Sequence, residues 1–500
     1  MAWIQRLLWP QPAPPTLHES DIIYPTHFLD DLPGARDLIM TWTMRFNDVL
    51  DPDMLHTSLA KLLEVGDWRK LGGRLRRQDG KLQLHVPNPF TKERPALFYT
   101  HEAFGINIDE HPLGKQMPKA TTNPSLQPNV ELFRPFSARP DSPVNVEEYF
   151  TQDLPQLSLH VVSFTDATLV SIVWPHILLD AMGLRDLVIA WSLVLNGREA
   201  EIPPVLGVRD DLAYKVADPS KGGEAFNLTS RRLGGLAFFG FVFNLLWDVF
   251  FGAPMEPRVI FLPKKTVDRL QQRVKDDLGT LEVKAGDGGM RPHISKGDVL
   301  VAWMVRMLAS SLPKPRPITS MSAVDLRSRV SGLCEPEALY IQNMMIATSM
   351  PLTSSEASAA SLGEIALRHR QSLIHGATSA QLTSVLQIMR QDKDAGRDPT
   401  ILVGESNTLL TTFSNWTKAK FSKIVDFSKA VVQTGDGSPD RINPPGTMIY
   451  HYPALMKRFA HFRNLVNIMG TDHEDNYWMY AYMSARTWSK IEQSMRELSS

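Results

Sequence analysis

One stretch of the sequence combines residue types and spacing that could do chemistry: His176-Ile177-Leu178-Leu179-Asp180-Ala181-Met182-Gly183. An apolar run precedes it and a helical apolar pattern follows it. An imidazole titrates near neutrality, so a His held at a strand-to-helix switch suits general-base work. Asp180, four residues on, can fix the local loop or favour a helix N-terminus. The bare spacing is a weak signal. With 14 His in the chain, about one chance occurrence is expected. A second copy does occur, His27 to Asp31, in a short N-terminal loop with no apolar strand before it. Context must separate the two.

The elements that would carry His176 are legible around it. Residues 157–164 and 168–174 are apolar, strand-like runs, separated by Thr165-Asp166-Ala167 as in a hairpin. A helix is expected over 181–196, with Leu184, Leu187, Val188, Trp191 and Leu195 on one face and Gly197 at its end. Upstream, residues 39–85 suggest strand, helix and strand, with a hairpin turn at Asp79-Gly80. Residues 87–150 suggest a loop-dominated stretch. Downstream, a strand at 259–262 and a helix at 265–277 precede a Gly- and charge-rich loop at 279–292. Ser295 is placed to cap a helix carrying Val301, Met304, Val305 and Leu308. Later strands are expected at 317–324, 343–349, 407–413, 464–469 and 477–483, and a last helix at 486–498.

Composition bounds the rest. The 500 residues suffice for two domains and a large core. Cys334 is the only cysteine, which excludes a disulfide framework and a cysteine-based zinc site. No metal is expected. The 53 Lys+Arg balance 54 Asp+Glu, which argues against nucleic-acid binding by a global basic field. The first ten residues carry one positive charge and an apolar stretch too short for a secretory signal. These features suggest a cytoplasmic monomer. Leu233 to Ala253 breaks the pattern: 21 residues with seven aromatics and one charge, Asp248. Its length matches a membrane span.

The set of motifs resembles the BAHD acyltransferases, CoA-dependent O- and N-acyltransferases of secondary metabolism. His176-x-x-x-Asp180-Ala181-x-Gly183 matches their signature. Leu71-Gly72-Gly73-Arg74-Leu75 through Asp79-Gly80-Lys81-Leu82, Ser295-x-x-Asp298-x-Leu300-x-Ala302, Val324-Asp325-Leu326-Arg327-Ser328-Arg329, Tyr340-Ile341-Gln342-Asn343 and Ser414-Asn415-Trp416 through Val425-Asp426-Phe427 follow in the family's order. The match spans residues ~20 to ~495. The family's Asp-Phe-Gly-Trp-Gly is here Asp426-Phe427-Ser428-Lys429-Ala430. That departure, the long crossover and the length are similar to the fungal trichothecene-type O-acetyltransferases rather than to the plant branch.

The resemblance implies an α/β fold of two chloramphenicol-acetyltransferase-like domains. Each would be a mixed sheet with flanking helices, joined by a long crossover, with a tunnel between them. The halves would run over 1–205 and 259–500, with the crossover at 206–258 and a segment near 402–424 joining the first half. His176 would deprotonate an acceptor hydroxyl as it attacks the CoA thioester, without an acyl-enzyme. Asp180 would pair with Arg327 as a structural link. Ser414 or Trp416 would supply the oxyanion donor. Ser295, Lys296, Asp298 and Lys418 are the CoA-binding candidates. Arg329, Lys420 and Lys423 suggest solvated charges, and His160 and His293 structural roles. Acetyl-CoA, or another acyl-CoA, would be a co-substrate rather than a bound cofactor. The acceptor would be a hydrophobic alcohol such as a terpenoid or polyketide.

Two rivals remain open at this level. A condensation-type enzyme would take its acyl group from a carrier protein, but such enzymes carry His-His-x-x-x-Asp-Gly, and here Pro175 replaces the first His. A non-catalytic metabolite-binding relative would explain the altered Asp-Phe-Gly-Trp-Gly motif. As for residues 233–253, a single span would separate His176 from Arg327 across a bilayer, which contradicts the catalytic reading. The alternatives are a buried segment, an interfacial one in peripheral contact with a membrane, or a re-entrant hairpin bent at Gly240.

Overall fold

The computed structural model describes residues 15–78, 80–279, 293–335, 337–460 and 462–499. Two large sheets organise the chain. A five-stranded sheet runs in the order Met448–Leu455, Ile39–Phe46, Thr168–Pro175, Ser158–Ser163, Phe98–Ala103. A seven-stranded sheet runs Met345–Leu352, Ile318–Asp325, Leu409–Asn415, Leu465–Thr471, Tyr477–Ser484, Met255–Leu262, Ser125–Gln127. Both mix parallel and antiparallel pairs.

The strand Thr168–Pro175 lies in the middle of the first sheet, and all eight of its residues are buried. Its largely apolar sequence has that cause: both faces are covered, so no polar alternation is needed. The helix Ala181–Leu195 follows after a five-residue turn. Asp180 caps it, accepting from the Met182 and Gly183 amides. Leu184, Leu187, Val188 and Trp191 are buried in the first core, and the Trp191 indole N–H reaches Ser58 Oγ at 2.9 Å. A second core forms under the helix Lys296–Ser311, where Trp303, Met304 and Val305 pack beneath the seven-stranded sheet.

The halves trade strands. Met448–Leu455 comes from late in the chain yet pairs antiparallel with Ile39–Phe46. Ser125–Gln127 comes from the loop-like stretch yet pairs with Met255–Leu262 at the edge of the other sheet. The stretch near 402–424 divides: Leu409–Asn415 belongs to the seven-stranded sheet, whereas Trp416, Ala419 and Phe421 pack into the first core. The stretch at 87–150 also holds a strand, Phe98–Ala103, parallel to Ser158–Ser163. Asp79, at the expected hairpin turn, lies outside the described residues, but Arg74–Gln78 and Lys81–Val86 do pair, with Gln78 opposite Lys81. Residues 280–292 of the expected Gly- and charge-rich loop also lie outside the described residues.

The apolar run is a single straight-through helix, Gly235–Phe251, neither buried nor re-entrant. Phe241 is its one buried residue, while Leu236 is 90% exposed and Phe250 74%. Burial fails because the helix turns its polar side chains inward. Asn244 Nδ2 donates to Ser406 O at 3.2 Å, and the Asp248 carboxylate takes Arg316 at 3.0 Å. Among the described residues no helix is long and apolar enough to cross a membrane.

Candidate active site

His176 sits in the turn that ends the central strand of the first sheet. Its backbone is held from both sides. The amide donates to Leu38 O at 2.8 Å, and the carbonyl accepts from Asn343 Nδ2 at 2.8 Å. The ring is half-buried. Nδ1 is buried without a well-formed hydrogen bond. Burial pushes the imidazole pKa below its ordinary value; Asp180, the residue's own carbonyl, Asp30 and Asn343 offset part of that. A ring neutral at physiological pH is the form that can accept a proton.

Asp180 and Arg327 form the link between the halves. Arg327 Nη2 and Nη1 meet the two carboxylate oxygens at 3.0 and 3.1 Å, both side chains being nearly buried. Burial opposes ionisation of Asp180, but Arg327 and the Met344 and Gly183 amides outweigh it and hold its pKa below the usual carboxylate range. Arg327 spends its remaining donors on Asp325 Oδ1, Tyr340 O and Gln342 O. Asp180 therefore fixes the turn, the helix and residues 340–344 together.

Gly183 has a steric cause. A Cβ there would lie 2.2 Å from the Ile341 carbonyl oxygen, so the second half's chain reaches the helix only because no side chain intervenes. One contributor carries no motif. Asp30 accepts from the Asn343 amide and Nδ2 at 3.0 and 2.9 Å and from the His27 amide. The N-terminal loop of the second, His27 copy thus buttresses the turn that carries His176, through Asp30 rather than Asp31. No local pattern marks that role; the contact joins positions 313 residues apart.

The other candidates fall into three groups. Ser414 and Trp416 lie together at the end of Leu409–Asn415, where Trp416 Nε1 donates to Ser414 Oγ at 2.9 Å. That bond occupies the indole donor and leaves the Ser414 hydroxyl hydrogen without an acceptor among the described residues. Ser295 and Asp298 form a reciprocal helix cap, and Asp298 is buried against His369 Nδ1 at 2.9 Å and Arg370 Nε at 2.9 Å. Asp298 is thereby committed to holding helices together, and Ser295 Oγ bonds to it at 2.6 Å. Lys296 pairs with Asp268 at 2.6 Å, while Lys418 is exposed and carries no ion pair among the described residues. Cys334 faces the Met344 sulfur, and burial pushes its thiol up to about 12, which removes it as a nucleophile. His160 is buried against Thr100 Oγ1.

No protein-family model matches the chain. Curated relatives do. The O-acetyltransferase PaAT-2 of Phomopsis amygdali is 37% identical over 488 residues, covering 96% of this chain and 98% of that protein. The acetyltransferase pyiB of Pyricularia grisea is 34% identical, covering 96% and 94%. Among solved structures, F. sporotrichioides TRI101 complexed with coenzyme A and T-2 superposes with a TM-score of 0.67 at 13% identity, covering 95% of this chain and 98% of that one. Vinorine synthase gives 0.58 at 13% identity, covering 98% and 95%. Those two likenesses show a shared fold. Relatives above 30% identity along nearly the whole length show more: the chain belongs to the family of these fungal acetyltransferases.

Proposed function

We propose that the chain moves an acetyl group from CoA to a hydroxyl of a hydrophobic secondary metabolite, with His176 Nε2 as general base. The observation that carries this reading is the imidazole itself: its pKa lowered by burial, its backbone clamped by Leu38 and Asn343, and its buried Nδ1 in no hydrogen bond of good geometry. A proton kept on Nδ1, beside the residue's own carbonyl, leaves Nε2 as the acceptor. Nε2 takes the hydroxyl proton while the alcohol oxygen bonds to the thioester carbonyl carbon. Collapse of the tetrahedral adduct breaks the C–S bond, and the proton passes from Nε2 to the departing sulfur. The Ser414 hydroxyl is the donor proposed for the oxyanion. Of the CoA candidates, Lys418 carries no ion pair among the described residues, and Ser295 caps its helix. The TRI101 complexes hold CoA together with T-2, which supports a fold that receives both a donor and an acceptor.

The test is acyl transfer from acetyl-CoA by wild type and His176→Ala over a panel of terpenoid and polyketide alcohols. Loss of the base lowers kcat by about 100- to 10,000-fold. Full turnover by His176→Ala would refute the mechanism.

A further inference from the structure

Among the described residues, 17 large apolar side chains are exposed, and eight of them crowd onto the helix Gly235–Phe251. The helix is inside out for a protein in water. Asn244 and Asp248, its polar residues, face the body of the protein, where they bond to Ser406 and Arg316. Phe239, Phe243, Leu246, Trp247, Phe250 and Phe251 face outward, from 49% to 74% exposed. Gly240 permits close seating on the inner side, since a Cβ there would meet Ser406 at 3.1 Å. A patch this large and free of charge on a folded surface marks a binding face.

A cleft of about 500 Å³ adjoins the helix's last turn, walled by Asp248, Gly252 and Ala253. Its charged lining is one carboxylate, Asp248, against four cations: Lys314, Arg316, Arg463 and Arg486. Arg316 neutralises Asp248. Lys314 and Arg486 are exposed and have no ion pair among the described residues, and Arg463 bonds only to the neutral Ala253 carbonyl. We propose that this aromatic helix lies flat in the interface of an anionic phospholipid membrane, with headgroup phosphates at Lys314, Arg463 and Arg486. Aromatic rings suit the boundary between acyl chains and headgroups, and adjacent cations add attraction to anionic lipid. The apolar face of a second protein would leave those three cations without counter-charge. This inference goes beyond the acetyl transfer and does not depend on it.

The experiment is flotation of the full chain with phosphatidylcholine vesicles, with and without phosphatidylserine. Wild type floats with both and more completely with phosphatidylserine. Phe239→Ser/Phe243→Ser/Phe250→Ser lowers partitioning about 100-fold or more. Lys314→Ala/Arg486→Ala keeps the phosphatidylcholine binding and loses about fivefold per cation of the phosphatidylserine gain. Wild type remaining in the aqueous fraction with both vesicles would overturn the proposal. So would a self-association, seen by sedimentation, that the triple-Phe variant abolishes and vesicles fail to compete away.

Discussion

His176 and Asp180 sit four residues apart and do opposite work. The imidazole is kept neutral by burial, so the acid limb of kcat/KM lies below the ordinary imidazole value of about 6.5. A pH–rate profile whose limb falls at or above that value contradicts the burial argument. Asp180 is held ionised, and its worth is structural. Asp180→Asn leaves the Arg327 guanidinium buried without its main counter-charge and costs ~3 kcal/mol of stability, read from urea unfolding. Arg327 retains Asp325 and two carbonyls, which keeps the loss near the low end for a broken buried pair. Both residues were legible from the motif, as was the pairing partner. Asp30 was not, because its meaning comes from Asn343, far away in the chain.

At the scale of elements, the helix Ala181–Leu195 is where local pattern and tertiary contact agree. Its apolar spacing and Asp cap place it from sequence alone. What the pattern does not carry is Gly183. A mid-motif glycine in a helix lowers intrinsic helicity, yet here it lets residue 341 approach. Gly183→Ala destabilises by about 1–3 kcal/mol through that clash, although it raises helix propensity; thermal melts of the two proteins decide the sign. The strand Met448–Leu455 escaped sequence analysis. Its polar and aromatic composition resembles no simple alternation, and it is buried only because it completes a sheet begun 400 residues earlier. The short strand Ser125–Gln127 is invisible for the same reason.

Across the whole molecule, the buried histidines make acid a common denaturing force. His451 accepts from the Trp42 indole at 3.0 Å, and burial lowers its pKa to about 3. The folded state therefore binds fewer protons than the unfolded chain between about 6.5 and 3, and stability falls as pH falls through that window. His176 and His160, both lowered by burial, act in the same direction. Below about 4 the depressed carboxylates Asp48, Asp180 and Asp298 add their own loss. The urea midpoint should decline steadily on acidification from neutrality, and a flat profile between pH 6.5 and 4 would contradict it. The sequence by itself determined the candidate residues and most of the elements around them, because a histidine, a helix cap and an apolar period are local properties. Only the tertiary structure decided how the halves exchange strands, what clamps His176, and which way the apolar helix faces. Each of those rests on contacts between distant positions, and a helical period cannot tell whether its aromatic side meets a core or open solvent.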